Sequence, residues 1–314
     1  MTSISIDLGG TRLKSALINN GSIIESTVFP IDAALPKEVC LAILEKEIIR
    51  LSRIRRPDAF GLAMPGIINP FECKLLSING KHDGLLGFDF AKWAQETIKL
   101  PFVMENDANA ALIGELHYGC GKGCDDAVLM ILGTGIGTAA MMNGHLVRGK
   151  HFQAGCLGGH ISVETFAKGR LCNCGSIGCA ETIGSGWAVD KEAKKCAYFH
   201  KSGLSTEPVV DYKTILKWEQ AGDKLAIRLM NESVDAWSTC AINLIHAYDP
   251  DLFILSGGVL NCGTRITAPI AENIKQHAWT PWGLVQLCTA EVPEHSAVLG
   301  LHGLLTEKYF NRSA

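Results

Sequence analysis

The stretch Glu105-Asn106-Asp107-Ala108-Asn109-Ala110-Ala111 marks a junction between two kinds of secondary structure. The apolar run 101–104 before it predicts a short buried strand, and the apolar residues after it predict a helix. The first amides of a helix are unpaired and its dipole is positive there, so a carboxylate is stabilised at this junction. Two interpretations follow: Asn106 or Asp107 is a helix N-cap, or Asp107 is a catalytic base at the edge of a cleft.

The overall composition is typical of a globular enzyme. The 314 residues are 47% apolar and 19% charged, and the length allows two domains with cores of their own. The net charge of −3 and a single short basic run at 50–56 do not favour nucleic-acid binding. No apolar run reaches the ~18 residues that span a membrane, and the N-terminus lacks the features of a signal peptide. We therefore expect a cytoplasmic protein with neither a membrane nor a nucleic-acid partner.

A glycine pair follows the first predicted strand, in Asp7-Leu8-Gly9-Gly10-Thr11. Gly9 and Gly10 allow the backbone to approach a ligand closely, and adjacent amides can hold phosphate oxygens. Asp7 can hold a hydrated Mg²⁺, and Lys14 can reach a phosphate. An ordinary hairpin is the alternative interpretation of this motif.

A second loop, Gly133-Thr134-Gly135, follows another apolar run at 128–132. In both places an Asn-Gly turn begins nine residues after the threonine of the Gly-Thr pair, at Asn20 and at Asn143. This repetition predicts an internal duplication into two domains, with a boundary near residues 118–123. Two facing loops of this kind can hold one triphosphate between the domains.

His160, Cys172, Cys174 and Cys179 form the pattern His-x11-Cys-x-Cys-x4-Cys. Three thiolates and one imidazole match a closed, tetrahedral, structural Zn²⁺ site. The 12 cysteines of the chain, without an export signal, favour such a site over a disulfide framework. Glu181 follows two residues later and is either an acceptor for sugar hydroxyls or an ordinary surface glutamate.

Further loops contain candidate binding residues. Gly66 follows a predicted strand at 58–63, and Gly257-Gly258 follows another at 252–255, where a planar base can lie flat. The polar loop 79–87 is either solvated or in contact with a polyol through one or more of its polar residues, Asn79, Lys81, His82 and Asp83. Helices are predicted at 36–51, 187–200, 213–220, 223–248 and 296–305.

Together these motifs resemble the ROK sugar kinases of the actin-like ATPase superfold. The resemblance covers almost the whole chain, and the zinc motif and the Asn106-Asp107 motif are its most specific parts. It implies an α/β protein with two domains of the actin-like ATPase (ribonuclease H-like) fold, each a mixed sheet flanked by helices. The N-terminal domain is expected to comprise residues 1–118 with 294–314. Residues 119–293 are expected to form the C-terminal domain with the zinc motif.

The resemblance implies transfer of the γ-phosphoryl group of ATP to a hydroxyl, usually O6, of a hexose or N-acetylhexosamine. Asp107 would be the general base and Asp7 would position Mg²⁺. The sugar would be bound by Gly66, Asn79, Asn106, Asp107, Glu181 and His160, the last of which would also bind Zn²⁺. ATP would be bound by Asp7, Gly9, Gly10, Thr11, Lys14, Gly133, Thr134, Gly135, Gly257 and Gly258. A homodimer is also implied.

One departure from the family pattern concerns the sugar. The family usually has Gly-Glu-x-Gly-His before the zinc ligand, and that glutamate binds sugar hydroxyls. Here the run is Ala154-Gly155-Cys156-Leu157-Gly158-Gly159-His160, so either Leu157 or, with a one-residue insertion, Cys156 occupies the position. Neither accepts a charge-assisted hydrogen bond. A different hydroxyl pattern, or an apolar or N-acyl substituent, is therefore expected at this position, and glucose is not expected to be the best substrate.

Other functions within the family stay open. Its DNA-binding repressors carry a helix-turn-helix before the first strand, and this sequence begins at that strand. A sugar sensor without kinase activity is the main alternative. For a kinase, N-acetylmannosamine, N-acetylglucosamine, mannose, fructose and allose are all candidate acceptors, and the run 185–188 resembles that of N-acetylmannosamine kinases.

Overall fold

The computed structural model describes residues 1–310, and its β-strands form two five-stranded sheets and one two-stranded hairpin. The strands are β1 Thr2–Leu8, β2 Arg12–Asn19, β3 Ser22–Pro30, β4 Ala59–Met64, β5 Ile67–Asn69, β6 Lys74–Ser77, β7 Phe102–Asn106, β8 Ala127–Leu132, β9 Ile136–Met142, β10 His145–Leu146, β11 Leu252–Ser256 and β12 Gln286–Thr289.

The α-helices cover most of the predicted helical segments. They are α1 Lys37–Ser52, α2 Phe90–Trp93, α3 Asp107–Tyr118, α4 Glu181–Gly184, α5 Gly186–Lys195, α6 Tyr212–Gln220, α7 Lys224–Tyr248, α8 Thr264–His277 and α9 Ser296–Tyr309. The helix predicted at 187–200 ends earlier, because Cys196 is in an extended conformation with ψ 127°. Across residues 1–310, no helix combines the length and the apolar character needed to cross a membrane.

The chain divides into two compact units. Unit 1 comprises Met1–Gly123, Arg148–Cys156 and Glu291–Ala314, and unit 2 comprises Cys124–Val147 and Leu157–Ala290. The chain therefore returns to unit 1 for the nine residues 148–156 between two parts of unit 2.

The two units are built on the same sheet. The order is β3-β2-β1-β4-β7 in unit 1 and β10-β9-β8-β11-β12 in unit 2. In each sheet the first three strands are antiparallel neighbours, and the last three are parallel. The predicted α/β class with two mixed sheets is confirmed, and so is the internal duplication.

The two Asn-Gly turns explain why this duplication is visible in the sequence. Asn20 and Gly21 have φ of 49° and 79°, and Asn143 and Gly144 have φ of 49° and 71°. Two successive residues with positive φ form the tight hairpin turn whose twist matches that of the flanking strands. Asn-Gly is the preferred pair at these positions, so both hairpins retain it.

The unit-1 sheet is covered by helices on both faces, which is why every residue of β1 is buried. Ile4, Ile6 and Leu8 belong to a core that also contains Leu44 and Ile48 of α1. On the opposite face the side chains of β1 are small and polar, and Ser3 Oγ lies 2.7 Å from His302 Nδ1 of α9. This face also carries Asp7.

In unit 2 a single large core joins the sheet to the helices. Met130 of β8 and Phe253 of β11 pack in one cluster with Trp237 of α7 and Ile270 of α8. Trp237 is fully buried, and its indole Nε1 donates to the carbonyl oxygen of Gly184 over 2.8 Å. The apolar stripe of α7 is therefore a core element, as its sequence pattern predicts.

Helices α3 and α9 cross so closely that only glycine fits at the contact. A Cβ atom at Gly114 would lie 1.9 Å from the carbonyl oxygen of Ser296, and one at Gly300 would lie 1.8 Å from that of Ala110. Both obstacles are backbone atoms, so neither can move without separating the helices. This contact holds α9 against the helix that begins at Asp107.

We predict that Gly300→Ala lowers the free energy of unfolding by about 1–3 kcal/mol, because it overpacks this contact. In an unobstructed helix the same change raises the free energy of unfolding by about 1 kcal/mol. A decrease therefore indicates the close contact. Gly303→Ala in the same helix is the control, since its Cβ would meet only the His117 side chain at 3.0 Å. Equal or greater stability of Gly300→Ala in urea unfolding would contradict the close crossing.

Candidate active site and metal-binding cluster

Three parallel strands of unit 1 end at one edge of the sheet. β1 pairs with β4, and β4 pairs with β7, both in parallel register. Their carboxyl ends therefore bring together Asp7, the Gly66 turn and the Asn106-Asp107 junction. In open α/β sheets this edge is where ligands bind.

Asn106 is the N-cap of α3, and Asp107 is its first helical residue. The Asn106 side-chain oxygen accepts from the amides of Ala108 at 3.0 Å and Asn109 at 3.1 Å. Its Nδ2 donates to the Gly66 carbonyl oxygen at 3.0 Å and to Asp107 Oδ1 at 3.1 Å. Asn106 therefore caps the helix, and the Asp107 carboxylate shares with it only the Ala108 amide.

Asp7 and Asp107 influence each other electrostatically. Burial raises the pKa of Asp7 to about 7, and the Asp107 carboxylate adds to the rise, while Lys14 opposes it. Burial also raises the pKa of Asp107, against the lowering effects of the Ala108 amide, which donates to Oδ1 over 2.8 Å, and of Lys81 and Lys14. The site therefore holds two carboxylates that are incompletely compensated by positive charge.

The predicted phosphate loop of unit 1 is a tight turn between β1 and β2. The Gly9 amide donates to the Arg12 carbonyl oxygen at 3.0 Å, and Thr11 is exposed. Lys14 lies opposite Asp7 in the β1–β2 register, with its Nζ 3.9 Å from Asp7 Oδ2 and 3.3 Å from Glu294 Oε2. The structure thus places Lys14 beside Asp7.

The polar loop that begins at Asn79 divides into exposed and buried residues. Asn79 and Asp83 are exposed, whereas His82 is only 1% exposed. His82 Nε2 lies 3.0 Å from the Gly9 carbonyl oxygen, to which it donates because a carbonyl oxygen can only accept. Polyol contact, one of the two interpretations of this loop, does not fit His82, since its buried imidazole anchors the loop to the Gly9 turn.

No motif in the sequence points to Arg148 as a residue of the site. Its guanidinium donates from NH1 to Glu105 Oε1 at 2.9 Å and from NH2 to Glu105 Oε2 at 2.6 Å. Glu105 is 1% exposed and also accepts from the Asn106 amide and from Asn109 Nδ2. This buried pair attaches residues 148–156 to unit 1, next to Asp107. Its members are 43 residues apart, so no local spacing reveals it.

Cys156 lies at the end of the same segment and in the electrostatic field of Asp107. Burial raises the pKa of its thiol to about 11, and the Asp107 charge adds to the rise. Its Sγ is 3.4 Å from the carbonyl oxygens of both Phe152 and Gln153. Leu157, the other candidate for the position of the missing glutamate, belongs to unit 2.

In unit 2 the two predicted glycine loops lie at the equivalent edge of the second sheet. Gly133, Thr134 and Gly135 follow β8, and Gly257 and Gly258 follow β11, its parallel neighbour. A Cβ atom at Gly257, where φ is 102°, would lie 2.2 Å from the carbonyl oxygen of Leu132. At Gly258 a Cβ would meet no atom within 4 Å, so the surface there is open.

Glu181 is tied to the Gly133 loop and is only 8% exposed. Its Oε2 accepts from the Ile136 amide at 3.0 Å, and its Oε1 accepts from the Trp187 indole at 3.2 Å. A surface glutamate, the alternative interpretation of this residue, is therefore excluded. Each oxygen still has a lone pair for a further donor.

His160, Cys172, Cys174 and Cys179 come together as the spacing predicts. Their potential ligand atoms all lie within 4.8 Å of one another. Cys172 Sγ is 3.6 Å from His160 Nδ1, and Cys174 Sγ is 3.7 Å from Cys179 Sγ. Gly175 and Gly178 have φ of 89° and 78° and turn the chain between the cysteines. The cluster is thus a preformed group of three thiol ligands and one imidazole ligand.

Comparison with known proteins extends these observations. A model of the ROK family matches residues 3–308. The glucokinase of Thermotoga maritima is 27% identical over an alignment of 323 positions, gaps included. The alignment covers 97% of this chain and 97% of that protein. The N-acetylmannosamine kinase of Vibrio cholerae serotype O1 is 30% identical over 262 residues, which cover 82% of this chain and 84% of that protein.

A solved structure is similar over almost the whole length. A ROK family glucokinase from Streptomyces griseus, in complex with glucose and AMPPNP, has a TM-score of 0.80 at 26% identity. The match covers 97% of this chain and 99% of that one.

We predict that Asp7→Asn makes the ligand-free protein more stable at pH 8. The folded-state pKa of about 7 lies above the ordinary 3.8, so Asp7 stabilises the fold only while it is protonated, and this stability is lost as pH rises between those values. The melting temperature should rise by about 2 °C or more at pH 8 and progressively less towards pH 5.

The exposed Asp235→Asn in α7 is the control for this measurement. Its melting temperature should follow that of the unmodified protein at every pH. A stability gain for Asp7→Asn that is constant from pH 5 to pH 8 would contradict the raised pKa.

Proposed function

The chain belongs to the ROK family, and on that premise we propose that it is an ATP-dependent sugar kinase. It transfers the γ-phosphoryl group of ATP to a hydroxyl, O6, of a hexose or N-acetylhexosamine. The named activities of its relatives and the glucose and AMPPNP bound to a structural neighbour support this proposal. The observation that carries it is Asp107, a carboxylate of raised pKa at the carboxyl edge of the sheet whose capping role is taken by Asn106.

Asp107 is the general base of this reaction. The Ala108 amide and Asn106 Nδ2 both donate to Oδ1, and we assign the other oxygen, Oδ2, to the substrate hydroxyl. As the hydroxyl proton moves to Oδ2, the sugar oxygen forms a bond to the γ-phosphorus and the bond to the ADP oxygen breaks. A raised pKa brings the base closer to neutral pH, where proton transfer is more favourable.

The remaining residues bind and position the two substrates. Gly66, Asn79, Asn106, His160 and Glu181 contact the sugar. Gly9, Gly10, Thr11, Lys14, Gly133, Thr134 and Gly135 surround the phosphates, and Gly257 and Gly258 lie against the adenosine. Most of the rate enhancement then comes from positioning and charge neutralisation, as phosphoryl transfer requires.

Asp7 fits a role in holding Mg²⁺. Its carboxylate is buried beside a second one, and a divalent cation would relieve the repulsion that contributes to its raised pKa. When bound, the ion neutralises phosphate charge. Asp7 holds it at the end of β1, next to the turn that receives the phosphates.

The cysteine cluster fits a structural Zn²⁺. A tetrahedron built from typical Zn–S and Zn–N bonds has edges of about 3.8 Å between sulfurs and about 3.6 Å between sulfur and nitrogen. The Cys174–Cys179 and Cys172–His160 separations match at 3.7 Å and 3.6 Å, and all four ligand atoms lie within 4.8 Å of one another. Since His160 Nδ1 faces Cys172, its Nε2 is the nitrogen that we assign to a sugar hydroxyl.

The family resemblance also leads us to propose a cytoplasmic homodimer.

The acceptor is proposed to be an N-acetylhexosamine or another sugar that needs no carboxylate near Cys156. The Cys156 thiol stays protonated at neutral pH and cannot replace a glutamate as a charged acceptor. The deciding experiment is ADP release with Mg·ATP against hexoses, N-acetylhexosamines and ketoses. Turnover on one sugar supports the kinase and identifies the acceptor. Sugar binding without turnover on any sugar would favour the sensor.

We predict that Asp107→Asn retains sugar binding and lowers kcat on the best acceptor by about 10³-fold, because a positioned general base contributes about 10²–10⁴-fold. The measurement is steady-state ADP release together with calorimetric sugar binding. Asp235→Asn is the control and should keep its kcat. A kcat for Asp107→Asn within tenfold of the unmodified protein would exclude Asp107 as the base.

We predict one Zn²⁺ per chain in freshly purified protein, measured by elemental analysis. Cys179→Ser should lose the metal and lower the melting temperature by about 5 °C or more, because metal binding stabilises the folded state. Cys196→Ser is the control, since this half-buried thiol of unit 2 lies outside the cluster. Metal-free native protein would refute the zinc assignment.

A further inference from the structure

Lys81 lies across the glycine turn at the end of β1. A Cβ atom built on Gly10 would be 2.8 Å from Lys81 Cδ, 2.9 Å from Cε and 3.3 Å from Nζ. The side chain therefore extends along the surface of Gly10, with the ammonium at its far end still beside the turn. It can do so only because residue 10 has no side chain.

The neighbouring His82 holds Lys81 in this position. The His82 imidazole is buried and donates to the Gly9 carbonyl oxygen, and its amide donates to the Ala33 carbonyl oxygen over 2.7 Å. His82 has φ 52° and ψ 33°, a left-handed conformation that is uncommon outside glycine. Two hydrogen bonds thus fix an otherwise unfavourable backbone, and the result is that Lys81 covers the Gly9–Gly10 turn.

The charges around the turn leave Lys81 available for a ligand. Lys14, the other lysine near Asp107, is shared between Asp7 and Glu294. Within residues 1–310, Lys81 forms no ion pair with a carboxylate within 4.0 Å. An ammonium in this position, beside the Gly9–Gly10 turn, is suited to bind an oxyanion.

We propose that Lys81 is a further catalytic residue, whose ammonium binds the γ-phosphoryl oxygens of ATP over the Gly9–Gly10 turn. This inference rests on the proposed kinase function. Lys81 takes no part in the proton transfer. It stabilises the negative charge on the phosphoryl oxygens while the sugar oxygen bonds to the γ-phosphorus and the bond to the ADP oxygen breaks. This role differs from the polyol contact that the sequence pattern suggested for the loop.

The test compares Lys81→Met with Lys81→Arg. Methionine keeps an apolar stem over Gly10 and removes the charge, whereas arginine keeps the charge. Lys81→Met should lower kcat by about 10²-fold or more, the typical effect of removing one donor to a developing charge, with a change in sugar KM below about threefold. Lys81→Arg should retain at least about ten times the kcat of Lys81→Met, since the charge provides the effect. Lys74→Met, which replaces a half-buried lysine in β6, is the matched control.

Two further readouts separate this role from a structural one. Lys81→Met should weaken AMPPNP binding by about tenfold and leave ADP binding nearly unchanged, because only AMPPNP has a γ-phosphoryl group. The acid limb of kcat/KM should move to higher pH, since Lys81 lowers the pKa of Asp107. The Asp107 carboxylate also interacts electrostatically with Lys14, Asp7 and the Cys156 thiol. Asp7 in turn interacts with Glu294 and Arg12. All of these groups are unchanged in the Lys81→Met variant.

The outcomes distinguish the inference from the function on which it rests. A Lys81→Met enzyme within threefold of the unmodified kcat, with unchanged AMPPNP binding, would overturn the role of Lys81 alone. Equal losses of kcat in Lys81→Met and Lys81→Arg would also overturn the role of Lys81. Both variants alter the side-chain stem, whereas only the methionine removes the charge. An increase in sugar KM with unchanged kcat would support the polyol contact instead. Unmodified protein that binds neither nucleotide would overturn the kinase proposal together with the inference.

Discussion

Burying charged carboxylates at the carboxyl edge of the unit-1 sheet costs free energy, because they lose their hydration. The polar and charged groups around them offset part of this cost. Each unit of pKa shift corresponds to about 1.4 kcal/mol of difference between the charged and neutral forms. Asp7 at the end of β1 and Asp107 at the start of α3 both have a raised pKa. Lys14, the Ala108 amide and Lys81 offset only part of the effect. Carboxylates left in this condition are good proton acceptors and good ligands for a cation.

Glu105, two residues before Asp107, is a carboxylate whose burial is compensated by hydrogen-bond donors. It is more deeply buried than either aspartate, yet it receives two hydrogen bonds from Arg148 and two more from Asn106 and Asn109. Such a group is fixed in its position. The same strand end therefore contains one carboxylate that organises structure and another that is available for chemistry, and the difference lies in the number of donors each one receives.

The internal duplication repeated the sheet without repeating these charges. Aligning the two Gly-Thr pairs puts Met130 of β8 at the position of Asp7, and Met130 is fully buried in the unit-2 core. Unit 2 instead presents glycine loops, the Glu181 carboxylate and the cysteine cluster. The proposed base and the proposed cation ligand thus come from one unit. The duplicated strand-turn-strand retains the backbone geometry and has acquired different side chains.

By itself, the sequence determined the features that depend on neighbours close along the chain. These are the strand-to-helix junction at Asp107, the two Asn-Gly hairpins, the glycine turns and the cysteine spacing, because turns and caps need particular residues at short, regular intervals. Only the tertiary structure decided that Asn106 is the cap, that Arg148 pairs with Glu105, that Lys81 covers Gly10 and that Gly300 meets Ala110. Apart from the local Asn106 cap, these contacts join residues that are distant along the chain or placed by an irregular loop. Their geometry depends on how the sheet and helices pack, and such packing leaves no periodic trace in the sequence.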